Sequence, residues 1–133
     1  GGLRLLQTLL ARNQPSQFII EFGANDALRG LPLQSTQDNL NQMTQAAQKA
    51  GAKVLLVGMM LPPNYGQDYS RRFAATYPAV AKARQIPLVP FLLRGVVDRP
   101  DSDKLFQSDR IHPTEQAHPI MLDNVCPELK KIL

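Results

Sequence analysis

Residues 54–57, Val-Leu-Leu-Val, form an apolar run with no polar position in it. A strand turns successive side chains to opposite faces, so such a run needs apolar cover on both sides. The natural setting is an interior strand of a parallel sheet with helices on each face. That requirement constrains everything else in the chain.

The flanking segments can provide the cover. Leu3, Leu6, Leu9 and Leu10 recur at helical spacing, predicting an amphipathic helix over 2–12 that ends at Asn13-Gln14-Pro15. Residues 18–22 predict a short strand bounded by Gly23, followed by a loop over 24–30. Ser35 or Thr36 is placed to N-cap a second helix whose apolar face holds Leu40, Met43, Ala47 and Ala50, with Gly51 at its C-terminal end. The strand at 53–60 comes next, then a loop over 61–66. Tyr69, Phe73 and Tyr77 stripe one side of a third helix, a pattern of core packing more than of an aromatic ligand box, and Pro78 is expected to kink or interrupt it. Residues 86–91 predict a third strand flanked by Pro87 and Pro90, and 92–107 a loop with a helical turn. Ala117, Met121, Val125 and Leu129 mark a last helix, with Pro119 at its first position. Helix and strand alternate throughout, which predicts an α/β layered fold with a parallel sheet. Ligands in such sheets bind at the C-terminal ends of the strands.

The chain has 133 residues, 44% hydrophobic and 20% charged, the size and balance of one globular domain. No apolar stretch approaches the ~18 residues of a membrane span. The first residues lack the basic and apolar regions of a secretory signal. The sequence does not start with Met, so the natural N-terminus is expected elsewhere. Cys126 stands alone, which excludes an intrachain disulfide and suits a small buried hydrophobe. The net charge is +4, and Arg71, Arg72, Lys82 and Arg84 form the one local basic excess. A solvated helix face accounts for it, and an acyl-chain or anionic-polymer binding module is the alternative. With no basic tail, zinc-finger spacing or aromatic RNA-binding motif, nucleic acid is not an expected partner.

Two short constellations can carry chemistry. In Asp109-Arg110-Ile111-His112-Pro113, an Asp three residues before a His can bond one imidazole nitrogen, fix the tautomer and support the imidazolium. A capping Asp beside an incidental His is the plainer alternative. In Gly23-Ala24-Asn25-Asp26, an Asn after a strand can donate its amide to an oxyanion, or simply serve a turn. His112, His118, Asp109 and Glu115 lack a standard metal-ligand spacing because Pro113 and Pro119 intervene, so no metal site is expected.

Taken in order, residues 21–30, 61–66 and 109–113 resemble the SGNH, or GDSL, hydrolase family. Within it they are most similar to the bacterial thioesterase I, arylesterase and lysophospholipase group. The resemblance covers essentially the whole chain. It implies a three-layer flavodoxin-like sandwich with a parallel sheet. It also implies a serine hydrolase of esters or thioesters that works through an acyl-enzyme and needs no cofactor. On that basis Asn25 matches the oxyanion donor, His112 the general base and Asp109 its orienting acid. Asp26, Ala27, Leu28 and Arg29, with Leu61, Pro62, Asn64 and Tyr65, match segments that rim the acyl cleft. The substrate would be a small acyl ester or thioester, and the setting periplasmic or secreted.

Two departures stand out. Ala24 occupies a position where relatives often have Gly. The Gly-Asp-Ser motif that carries the nucleophile is absent, and Gly1 and Gly2 fit the helix entrance and not the oxyanion glycine. None of Ser16, Ser35, Ser70, Ser102 and Ser108 stands in a nucleophile-like turn. Residues 1–133 are therefore expected to be the C-terminal part of a single hydrolase domain, missing an N-terminal strand–helix–strand unit and inactive alone. The strand at 18–22 should then have a bare edge. That edge would associate with the missing segment, pair with a second copy, or drive a rearrangement.

Overall fold

The computed structural model describes residues 2–109 and 112–133. Gly1, and Arg110 and Ile111 of the Asp-Arg-Ile-His-Pro motif, lie outside the described residues.

The sheet is parallel, in the order β1 (Gln17–Glu21), β2 (Lys53–Val57), β3 (Leu88–Val89). Glu21, Val57 and Val89 align across it, so the three C-terminal ends meet at one rim. The Val-Leu-Leu-Val run occupies the central strand and is buried on both faces, as its composition requires. Val54 and Leu56 join Ile20 in one core with α1 (Gly2–Asn13), α3 (Leu33–Lys49) and α4 (Gln67–Arg84). Leu55, Val57 and Val89 join the other, under Met121, Val125 and Leu129 of α5 (His118–Leu129) and Ile132 after it. Helices therefore sandwich the sheet in three layers. Among the described residues β1 has no partner on its outer side, and Ile19 is 47% exposed on the face α5 covers elsewhere.

Several predicted elements differ in the structure. The third strand is only Leu88–Val89, because Pro87 and Pro90 have no N–H to offer a ladder. Its register rests on Leu56 N–H donating to the Pro87 carbonyl (3.1 Å) and Gly58 N–H to Val89 (2.7 Å). The second helix starts at Leu33 after Pro32, so neither Ser35 nor Thr36 is its cap. Thr36 is instead buried. Pro78 does not interrupt α4. It lies on the exposed side, and the buried neighbours Tyr77, Val80 and Ala81 hold the helix through the lost hydrogen bond. Pro119 sits at the second position of α5, since His118 is the first. Cys126 is half-buried, less enclosed than its apolar setting predicts.

Candidate active site

The predicted loop after β1 folds into a short helix, α2 (Ala24–Leu28). Gly23 makes this possible. Its φ of +111° turns the chain sharply off the strand. A Cβ there would lie 2.9 Å from the Tyr77 hydroxyl and 3.0 Å from the Thr36 methyl. The Tyr77 hydroxyl donates to the Phe22 carbonyl at 2.7 Å, directly beneath this turn. Burial, with Glu21 and Asp26 adding negative charge, pushes the Tyr77 phenol well above its ordinary pKa, so it stays a donor.

Asn25 stands exposed on α2 at the strand rim, and its side chain makes no hydrogen bond among the described residues. With Asp26, Arg29 and Phe22 it lines an open groove of 760 Å³ whose far wall is the start of α1. Ala27 and Leu61 do not face solvent. Both are buried in the main core, where they shape the site from beneath. Leu28 and Tyr65 pack against that core partly buried, whereas Pro62 and Asn64 are exposed. Tyr65, at the end of a single turn (Pro63–Tyr65), donates its N–H to the Pro62 carbonyl at 3.2 Å.

The Asp109 and His112 side chains meet directly. Asp109 Oδ2 lies 2.6 Å from His112 Nδ1, and Oδ1 accepts the His112 backbone N–H at 3.0 Å. One carboxylate thus fixes both the ring and the backbone that carries it. Flanking residues pin the pair: Gln107 N–H donates to the His112 carbonyl (2.7 Å) and Thr114 N–H to Leu105 (2.8 Å). Phe106 and Pro113 form an antiparallel bridge beside it, and Leu105 is anchored in a core with Val96 and Ala117. The His112 side chain is 70% exposed and that of Asp109 43%, so the imidazole is largely open to solvent. No bond links this pair to Asn25 among the described residues. The two lie after different strands, and neither His112 nor Asp109 lines the groove beside Asn25.

The basic cluster is less bare than the sequence pattern implied. Asp68, one turn earlier, pairs with Arg71 at 3.1 Å and Arg72 at 3.8 Å. Arg84 donates to Asn41 at 3.3 Å.

Residues 1–120 match the GDSL-like Lipase/Acylhydrolase family. The chain belongs to that family. It is 47% identical over 133 residues to Esterase TesA of Pseudomonas aeruginosa, spanning all of this chain and 65% of that protein. It is 38% identical over 132 residues to Thioesterase 1/protease 1/lysophospholipase L1 of Escherichia coli, spanning 99% of this chain and 62% of that one. The chain thus spans less than two thirds of the length of these curated relatives. A solved structure of TesA superposes with a TM-score of 0.93, covering 100% of this chain and 72% of that one at 47% identity. The psychrotrophic esterase EstA from Pseudoalteromonas sp. superposes at 0.89, with 34% identity and coverage of 98% and 70%. This GDSL-like chain therefore has the fold its motifs implied. What the motif reading missed is the role of Tyr69 and Tyr77, whose helical spacing signals core but not what their hydroxyls hold.

Proposed function

We propose that this chain is the base-and-oxyanion part of a serine hydrolase acting on small acyl esters or thioesters. Its nucleophile lies outside residues 1–133. The observation that carries this reading is the Asp109 carboxylate held 2.6 Å from His112 Nδ1. With Nδ1–H committed to Asp109, Nε2 is the basic nitrogen. It takes the proton of a serine hydroxyl as the serine oxygen bonds the acyl carbonyl carbon. The tetrahedral oxyanion is stabilised by the Asn25 amide and backbone N–H groups. His112 then returns the proton to the departing alcohol or thiol, leaving an acyl-enzyme. Water, activated by the same nitrogen, releases the acid. Asp26, Leu28, Arg29, Pro62, Asn64 and Tyr65 contribute the walls of the acyl site, with Ala27 and Leu61 behind them.

The open edge of β1 supports pairing with a further segment of the same protein in preference to a second copy, because relatives extend well beyond the matched length. The described residues contain no helix long and apolar enough to cross a membrane. A periplasmic or secreted setting rests on the family resemblance, and cell fractionation tests it. Relatives named esterase, thioesterase and lysophospholipase support the substrate class. The test is turnover of a p-nitrophenyl ester by the whole protein, and its block by a serine-directed phosphonate. His112→Ala and Asn25→Asp should each lower turnover by about 10²-fold or more. Near-native rates in both variants would sink the assignment.

A further inference from the structure

α2 has five residues, far too few to persist as a helix without outside support. Besides its packing on α3 and the core, the backbone at its two ends is bonded by hydroxyls from α4, about forty residues further along the chain. At the N-terminal end, the Tyr77 hydroxyl donates to the Phe22 carbonyl at 2.7 Å. At the C-terminal end, the Tyr69 hydroxyl lies 2.9 Å from the Leu31 carbonyl and 3.3 Å from that of Ala27. Both tyrosines project from the same side of α4, eight positions and so ~12 Å apart along its axis. That separation suits a clasp spanning the ~7.5 Å of α2 and the turns at its ends. Phe73 stands between them, buried and edge-on to Tyr77 with ring centroids 5.4 Å apart, which steadies the Tyr77 ring. Asn25 lies within the clasped segment and makes no side-chain hydrogen bond of its own among the described residues. Its placement is therefore inherited from the backbone of α2.

We propose that Tyr69 and Tyr77 are positioning residues, whose hydroxyls clasp the two ends of α2 and so hold the Asn25 amide where the oxyanion develops. This rests on the hydrolase reading above. Neither tyrosine lines the groove beside Asn25. An oxyanion donor stabilises the transition state more than the ground state, so loosening it lowers kcat and leaves KM nearly unchanged.

The test is ester hydrolysis by the whole protein carrying Tyr77→Phe, Tyr69→Phe or both, each made with and without Asn25→Ala. Tyr77→Phe should lower kcat about 3–10-fold, the factor that one neutral hydrogen bond represents, with KM changed less than about 2-fold. In the Asn25→Ala background the same change should lower kcat less than about 2-fold, because the positioned group is gone. An unchanged kcat in both tyrosine variants, or an undiminished loss in the Asn25→Ala background, overturns the clasp. If Tyr77→Phe fails to fold, Tyr69→Phe decides alone, since its hydroxyl reaches a more exposed carbonyl. If Asn25→Ala and His112→Ala leave turnover intact, the hydrolase reading itself falls and takes the clasp with it. That result is distinct from a failure of the tyrosines alone.

Discussion

Gly23→Ala tests whether the turn into α2 is set by backbone freedom alone or also by the crowd beneath it. Two effects act there. The φ of +111° is one that residues with a Cβ rarely adopt, a strain of about 1–3 kcal/mol. The new methyl would also lie 2.9 Å from the Tyr77 hydroxyl and 3.0 Å from the Thr36 methyl, both on buried side chains in packed helices. Neither neighbour is free to swing away, and overpacking of this kind costs about 1–3 kcal/mol. If Tyr77 yields, its bond to the Phe22 carbonyl goes with it, which is about 1 kcal/mol more. The summed loss is about 3–7 kcal/mol. Gly30→Ala is the matched control. Gly30 also has a positive φ, +71°, but nothing lies within 4 Å of its added Cβ. It should lose only the strain, and both variants share the same gain from a stiffer unfolded chain. Chemical denaturation of the two variants in the whole protein therefore isolates the crowding as a difference of about 2 kcal/mol or more. Equal stabilities would refute the claim that Tyr77 and Thr36 form the floor of this turn.

Two further outcomes follow from the same geometry. Asp109→Asn keeps the shape of the side chain but not its charge, so it should lower kcat by about 10²–10⁴-fold with little change in stability, as read from ester hydrolysis and thermal unfolding side by side. Because burial raises the Tyr77 phenol above its unfolded value of 10.0, the folded protein keeps a proton that the unfolded chain sheds. The stabilisation is whole below pH 10 and declines by about 1.4 kcal/mol per pH unit above it, until the native phenol itself ionises. Denaturation midpoints measured from pH 9 to 11 should fall more steeply for the native sequence than for Tyr77→Phe, and parallel curves would contradict this.

The parts of the molecule legible in the sequence share one property: their cause is local. The Val-Leu-Leu-Val run names its own strand because burial on both faces leaves no alternation to misread. Asp109 and His112 are three positions apart, close enough in the chain for carboxylate and imidazole to meet. β3 is the exception: predicted over 86–91, it spans only Leu88–Val89, although the cause, the missing N–H groups of Pro87 and Pro90, is local too. The other misread parts have distant causes. Pro78 leaves α4 intact because buried side chains on its other side outweigh one lost bond. α2 has no periodicity to detect, and the hydroxyls that bond its flanking carbonyls, at Leu31 and Phe22, come from 38 and 55 positions away in the chain.

That division bears on how the candidate site is built. Proton transfer needs two groups in contact, and two residues three positions apart suffice for it. Oxyanion stabilisation needs a donor held at a point in space that belongs to neither the donor nor its neighbours. A five-residue helix cannot define such a point, whereas an eighteen-residue helix packed against the sheet can. The stripe of Tyr69, Phe73 and Tyr77 therefore does two things with one spacing: its rings fill the core, and its outer two hydroxyls reach past the core to the rim. A Phe at either tyrosine would look conservative by packing alone. By this reasoning it removes a coordinate of the site.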